Sequence, residues 1–203
     1  MNKLLSSAKA KFFLEVVLVT FIFFASITFA QTGGISEGIK VNVLSTTPTS
    51  TTLEFVLTDY NQTIIKIGET DFVNYVVPGS IYFMERGFPQ LPMHRASIII
   101  PDLAGMNYRV IDQQLNEIAT DPVAPSKGHF TRNIDPETVA YTFDQFYNSD
   151  NWYPQTNFST DNPYIIKDLR GLTVQFNPMQ YNPAEHKLRI CTRLVVEIYS
   201  DEN

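Results

Sequence analysis

Hydrophobic and polar positions alternate along much of this chain, and the clearest run lies near its end. Leu188, Ile190, Thr192, Leu194, Val196 and Ile198 fall on one side of an extended chain, with Lys187, Arg189, Arg193 and Glu197 on the other. That pattern predicts a long strand with one buried face. Leu172, Val174 and Phe176 alternate in the same way. Between the two runs lies Asn177-Pro178-Met179-Gln180-Tyr181-Asn182-Pro183-Ala184-Glu185, whose prolines cannot donate to a ladder and whose Asn-Pro steps start turns, so the whole predicts an antiparallel hairpin.

Upstream, Lys40 to Val43, Thr52 to Thr58, Ile64 to Ile67 and Phe72 to Val77 predict strands, with Asn61 and Gly68 as turn formers between them. Gly87-Phe88-Pro89-Gln90-Leu91-Pro92 predicts a rigid crossing segment, because its prolines fix φ and its glycine permits a tight approach. Ser97 to Ile100 and Asn107 to Asp112 resume the extended pattern, while Gln113 to Ala119 fits either a continuation or a short helix. Thr120 to Thr138 carries Pro122, Pro125, Pro136 and Gly128 with almost no apolar period, which predicts a long exposed loop. No long amphipathic helix and no internal repeat is evident. The expected fold is all-β: a single antiparallel β-sandwich of the jelly-roll or lectin-like kind, with apolar faces packed together.

The first thirty residues have a different character. Lys3, Lys9 and Lys11 make a basic start, Val16 to Phe24 is apolar, and Thr28-Phe29-Ala30 supplies small residues for signal-peptidase cleavage. Glu15 limits the apolar run to roughly half the ~20 residues that a membrane anchor needs, so residues 1–30 are expected to be a cleaved signal peptide. Residues 31–39 are expected to form a flexible lead-in and 40–203 the domain. The product is then secreted, periplasmic or at the cell surface, with no membrane attachment after cleavage.

The formal charge of −6 becomes −8 once this segment, with its three Lys and one Glu, is removed. Nothing in so acidic a chain offsets phosphate charge, so no nucleic-acid partner is expected. Cys191 is the single cysteine, which excludes an internal disulfide. It lies mid-strand between Arg189 and Arg193, without a neighbouring His, and is expected to be structural. His94, His129 and His186 lack metal-ligand spacing, so neither metal nor cofactor is expected. Asp59, Glu69, Asp71, Asp102, Asp144 and Asp150 are scattered acids without the pairing that carboxylate catalysis needs. Two matches to the glycosylation sequon, at Asn61 and Asn157, carry little weight.

Gly87-Phe88-Pro89-Gln90-Leu91-Pro92, Ala124-Pro125-Ser126-Lys127-Gly128, Thr131-Arg132, Tyr147-Asn148, Tyr153-Pro154, Asp168-Leu169-Arg170-Gly171, and Gln180-Tyr181-Asn182-Pro183 followed by Leu188-Arg189-Ile190 stand in one order along the chain. That order resembles the N-terminal propeptide of gingipain-type cysteine peptidases, the C25 family, from about residue 40 onward and most closely after 124. The resemblance implies a non-catalytic prodomain that assists the folding of a caspase-like catalytic domain and keeps it latent, with that domain as partner in cis or in trans. The chain stops at Asn203, where the family's peptidase domain would soon begin, so a truncated chain and a free-standing prodomain both stay open.

An inhibitor of an arginine-preferring peptidase needs a loop guanidinium, which can make a bidentate bond to a carboxylate in the specificity pocket. Arg132, within Phe130-Thr131-Arg132-Asn133, matches by resemblance the arginine that serves the family as substrate-like plug and processing site. Lys127 in the same loop suits a lysine-preferring relative. A different function remains in view. Tyr141, Phe143, Phe146, Tyr147, Trp152, Tyr153, Phe158 and Tyr164 lie among Asn and Asp, a composition that also fits a secreted carbohydrate-binding or adhesion module.

Overall fold

In the computed structural model, residues 37–102 and 105–200 are described. The expected signal peptide and most of the lead-in lie outside them. Twelve strands form between Ile39 and Ser200: β1 Ile39–Thr46, β2 Ser50–Leu57, β3 Asn61–Ile67, β4 Thr70–Val76, β5 Ile81–Tyr82, β6 Pro92–Ile99, β7 Met106–Ala119, β8 Phe158–Thr160, β9 Tyr164–Ile166, β10 Leu169–Phe176, β11 Met179–Asn182 and β12 Lys187–Ser200. The alternating runs of β2, β10 and β12 become strands because each turns one face to a core, whereas β3 and β7 are largely exposed on both faces and are held by their ladders.

The first sheet is organised by β12. Its Arg193–Tyr199 stretch pairs with β2, its Lys187–Ile190 stretch pairs with β11 on the same edge, and its whole length pairs with β7 on the other. β1 closes the far side through β2. In the second sheet β10 pairs with β6 on one edge and with β8 and β9 on the other, and β5 extends β6. All of these pairings are antiparallel, and β3 and β4 form a separate hairpin whose turn uses Gly68.

Leu53, Phe55, Leu188, Ile190, Leu194, Val196 and Ile198 of the first sheet face Leu172, Val174 and Phe176 of the second, all within one buried cluster. Phe55 stacks on Phe176 at 5.2 Å and tilts against Phe158 at 6.0 Å, joining the two layers. The outer face of the first sheet carries cross-strand ion pairs. Arg193 bonds Glu54 of β2 at 2.7 Å and also Asp112 of β7, Arg189 bonds Glu117 at 2.7 Å, and Arg109 bonds Glu197 at 2.5 Å. The Asn42 amide, and then the Arg193 guanidinium, hold the Glu54 carboxyl below the usual carboxylate range.

Three expectations are corrected. Leu172–Phe176 and Leu188–Ile198 do not form a hairpin with each other: they lie in different sheets, and the chain crosses between layers at Asn177–Pro178. Gln180 and Tyr181, expected in the turn, belong to β11, and the true hairpin joins β11 to β12. Thr192 is exposed while Cys191 is buried, because the β7–β12 register shifts between Cys191 and Arg193 and one residue bulges out of the ladder. Gln113–Ala119 resolves as strand, continuing β7 to the end of β12.

Phe55→Ala removes the ring that bridges the sheets, and a buried Phe→Ala change costs about 3–5 kcal/mol. Equilibrium urea denaturation should show that loss as a lowered midpoint with unchanged slope.

Candidate functional site at the Arg132 loop

The segment expected to be a long exposed loop divides into a buried stem and an exposed bend. Val123, Ala124 and Ser126 are buried. Their backbone pairs with strand β4 on one side, through Val73 N to Pro122 O at 2.8 Å and Ala124 N to Val73 O at 2.8 Å. On the other side it pairs with the crossing segment, through Gln90 N to Ala124 O at 2.9 Å, Ser126 N to Phe88 O at 2.8 Å and Gly87 N to Ser126 O at 2.9 Å. Prolines are tolerated here because Pro122 contributes only its carbonyl and Pro125 only an isolated bridge to Pro89. An alternating period is absent because the consecutive residues 123–126 are all buried, Val123 in the core itself, between two backbone partners.

Two glycines shape the base of the bend. Gly87 has φ +87° and Gly128 has φ +91°, values favourable only without a Cβ. A Cβ on Gly128 would also stand 3.2 Å from the Cβ of Arg86. The Ser126 hydroxyl accepts from Gly128 N at 3.1 Å, closing the corner from within.

Beyond that corner the chain bends sharply. Arg132 and Asn133 occupy the middle of a turn closed by Ile134 N donating to Thr131 O at 3.0 Å, with Thr131 Oγ1 on Asn133 Oδ1 at 2.5 Å. Arg132 is exposed, and among the described residues no carboxylate or ring engages its guanidinium. Asp135 then caps a 3₁₀ turn at Pro136–Thr138, its side chain accepting from Glu137 N at 3.0 Å.

Lys127 is placed differently. It is half-buried, its Nζ donates to Pro136 O at 2.9 Å, and the same ammonium lies 4.4 Å from the centre of the Tyr141 ring. One cation thereby ties the two stems of the bend together. A cavity of about 240 Å³, lined by Met84, Gln90, Phe130 and Tyr141 among others, lies beside this tie. Pro136 and Tyr141 carry no signal in the sequence that would pair them with Lys127, since the contact exists only once the bend has closed.

The aromatic run after residue 141 anchors the site. Phe146 packs on Phe88 at 5.7 Å and on Tyr153 at 5.6 Å, Phe143 on Tyr147 at 5.2 Å, and Tyr153 on Phe83 at 5.3 Å. Tyr147 Oη donates to Val123 O at 2.8 Å, and Asp144 N donates to Gly87 O at 3.1 Å. The Arg189 guanidinium covers Trp152 at 3.9 Å. These rings are engaged with one another and with the loop stem, an arrangement that anchors loops instead of presenting flat faces to a sugar.

Burial pushes the Tyr147 and Tyr153 hydroxyls well above the usual phenol range and the Tyr181 hydroxyl up to about 12. Burial likewise pushes the Cys191 thiol up to about 11, and its Sγ rests 3.3 Å from Arg193 O. A reactive thiol needs the opposite setting. Among the described residues no group of three His, Cys, Asp or Glu side chains is placed to hold a metal ion.

The chain is thus a two-sheet antiparallel sandwich bearing a stem-fastened loop with an exposed arginine at its bend. The family model Propeptide_C25 matches residues 33–203, and the chain belongs to that family. Gingipain R1 of Porphyromonas gingivalis is 30% identical over 173 residues, which is 84% of this chain and 17% of that protein. Gingipain R2 of Porphyromonas gingivalis strain W83 is 28% identical over 185 residues, 89% of this chain and 25% of that protein. The chain thus spans at most a quarter of these two relatives. Among solved structures, the complex of Porphyromonas gingivalis RgpB pro- and mature domains matches with a TM-score of 0.77 and 28% identity, covering 80% of this chain and 84% of the matched one. A structure concerned with the zymogenic latency of gingipain K from Porphyromonas gingivalis matches with a TM-score of 0.70 over 81% of this chain and 93% of its own; at 17% identity it shares the fold.

Buried Tyr181 and Cys191 set an alkaline limit. The folded state holds the phenol and thiol protons more tightly than the unfolded chain does, so stability falls as pH rises past the ordinary values of 9.0 for thiol and 10.0 for phenol. Thermal midpoints should be insensitive to these groups below pH ~9 and drop progressively from there toward pH ~12. In the same samples Cys191 should resist a thiol-reactive disulfide reagent at pH 8 until denaturant is added.

Proposed function

We propose that this chain is the prodomain of an exported C25-type cysteine peptidase, which it holds latent by placing Arg132 in the specificity pocket and whose folding it assists. The chain itself performs no turnover. Residues 1–30 direct export, and the domain, whose first strand starts at Ile39, acts outside the cytoplasm on a catalytic domain in cis or in trans.

One observation carries this reading: Arg132 is exposed at the bend and, among the described residues, unpaired, while both stems below it are fastened. A bound inhibitor loses little conformational freedom when its loop is already held at the base. A protease cleft grips extended backbone, so the Thr131–Ile134 turn must open as Arg132 enters. That turn is closed by one backbone bond and by the Thr131–Asn133 side-chain bond, each worth about 1 kcal/mol in water, a modest cost against a buried arginine anchor. Lys127 serves this reading better as the tie between the stems than as the plug, because its ammonium is already occupied by Pro136 O and Tyr141.

The packing of the rings speaks against the carbohydrate-binding or adhesion alternative. With the Tyr147 and Tyr153 hydroxyls engaged by Val123 O and the Glu85 carboxylate, few polar tips remain beside the exposed ring area.

Residual activity of arginine- and lysine-preferring gingipain-type peptidases, titrated with the purified domain, tests the proposal. Arg132→Ala should weaken inhibition of the arginine-preferring enzyme at least about 30-fold, the scale of a hot-spot residue. Arg132→Lys should move preference toward the lysine-preferring enzyme. Lys127→Met should cost roughly fivefold through the loosened stems, the scale of one hydrogen bond, and Lys127→Arg should restore it. Unchanged inhibition by Arg132→Ala would refute the plug.

A further inference from the structure

We propose that hydrolysis of the Arg132–Asn133 bond leaves this domain in one piece, as two non-covalently associated chains, so that this cut is not the step that removes the prodomain. The inference rests on the reading of Arg132 as a processing site. In the cut itself, water adds across the amide, leaving a carboxylate on Arg132 and an ammonium on Asn133, and no other bond changes.

The strand order decides whether the halves can part. Strands β1 to β7 precede the cut and β8 to β12 come after it. Strand β12, from the later half, lies between β2 and β7, both from the earlier half, and pairs with β7 from Lys187 to Ser200. Strand β10, also later, pairs with the earlier β6 from Gly171 to Phe176. Neither sheet can be divided at residue 132 without breaking a ladder in its middle. The core is shared in the same way: Phe55 of the earlier half stacks on Phe176 and Phe158 of the later one. The ion pairs Glu54–Arg193, Asp112–Arg193, Glu117–Arg189, Arg109–Glu197 and Arg95–Asp161 all cross the same divide. Such a boundary is a domain core cut in half, the character of an obligate interface.

The new ends stay close to their old places. Ser126 remains bonded to Gly87 and Phe88 on one side of the cut. On the other, Pro136 O holds the Lys127 ammonium, and Asp144 N remains on Gly87 O. Only residues 129–134 are released to move, with Arg132 still tethered beside the cleft that cut it, at the high effective concentration of an intramolecular ligand. Disposal of the nicked domain therefore requires a further endoproteolytic cut outside the Arg132 bend, or unfolding.

The test places a recognition sequence for a site-specific viral protease between Arg132 and Asn133 of the full chain, so that nicking does not depend on recognition of Arg132. After complete cutting, native mass spectrometry and size-exclusion chromatography without denaturant should show one species at the uncut mass plus one water. Urea should then split it into two fragments. Separation of the fragments on the native column would overturn the proposal. A second arm nicks the unmodified chain with an arginine-specific endopeptidase at limiting dose and reads the same native mass. Absence of cutting at Arg132 in that arm would count against the processing site alone, while the inserted-site arm still decides whether the halves hold together.

Discussion

The Arg132 bend depends on the backbone pairing of Pro122–Ser126 between β4 and the Gly87–Gln90 crossing segment. Five backbone hydrogen bonds between 2.8 and 2.9 Å, together with Val123 buried in the core, turn what would be a mobile loop into a stem. The base of the bend is held by that pairing. The corner at Gly128, the Lys127 tie and the aromatic packing from Phe143 to Tyr153 all need a fixed stem against which to close. Without it, Arg132 would project from a chain whose ordering cost opposes docking.

The sandwich supplies the second constraint. Because β12 is bonded on both edges and β10 likewise, the two halves of the chain on either side of the bend are woven through both sheets. The pairing of the body therefore does not run through the exposed bend. The division of labour is physical: interlayer apolar burial and ladder bonds maintain the body, while the bend is tied by one ammonium and closed by one backbone and one side-chain bond, so it can reshape at low cost.

Much of this was legible in the residues. Strict alternation revealed β2, β10 and β12, and the outward row Arg189, Arg193 and Glu197 became the ion-pair face. The two-layer antiparallel class followed from it. What alternation does not encode is partner choice, which is why β10 and β12 read as one hairpin although Asn177–Pro178 carries the chain from one sheet to the other. A bulge is equally silent, and a one-residue shift at Cys191 exchanged its burial with that of Thr192. At the site, the exposed position of Arg132 could be read from the prolines and Gly128 around it, whereas the buried stem could not, because its bonds are backbone bonds. The Lys127 tie to Pro136 and Tyr141 depends on closure in three dimensions and leaves no local pattern.

Amide hydrogen exchange of the domain, alone and saturated with an arginine-preferring C25-type peptidase, addresses the central claim most directly. The account predicts that slowed exchange on binding centres on residues 127–141 and the adjoining turn at residues 85–88, with the outer faces of both sheets unchanged. Protection confined to another face, with exchange around Arg132 as fast as in the free domain, would contradict it.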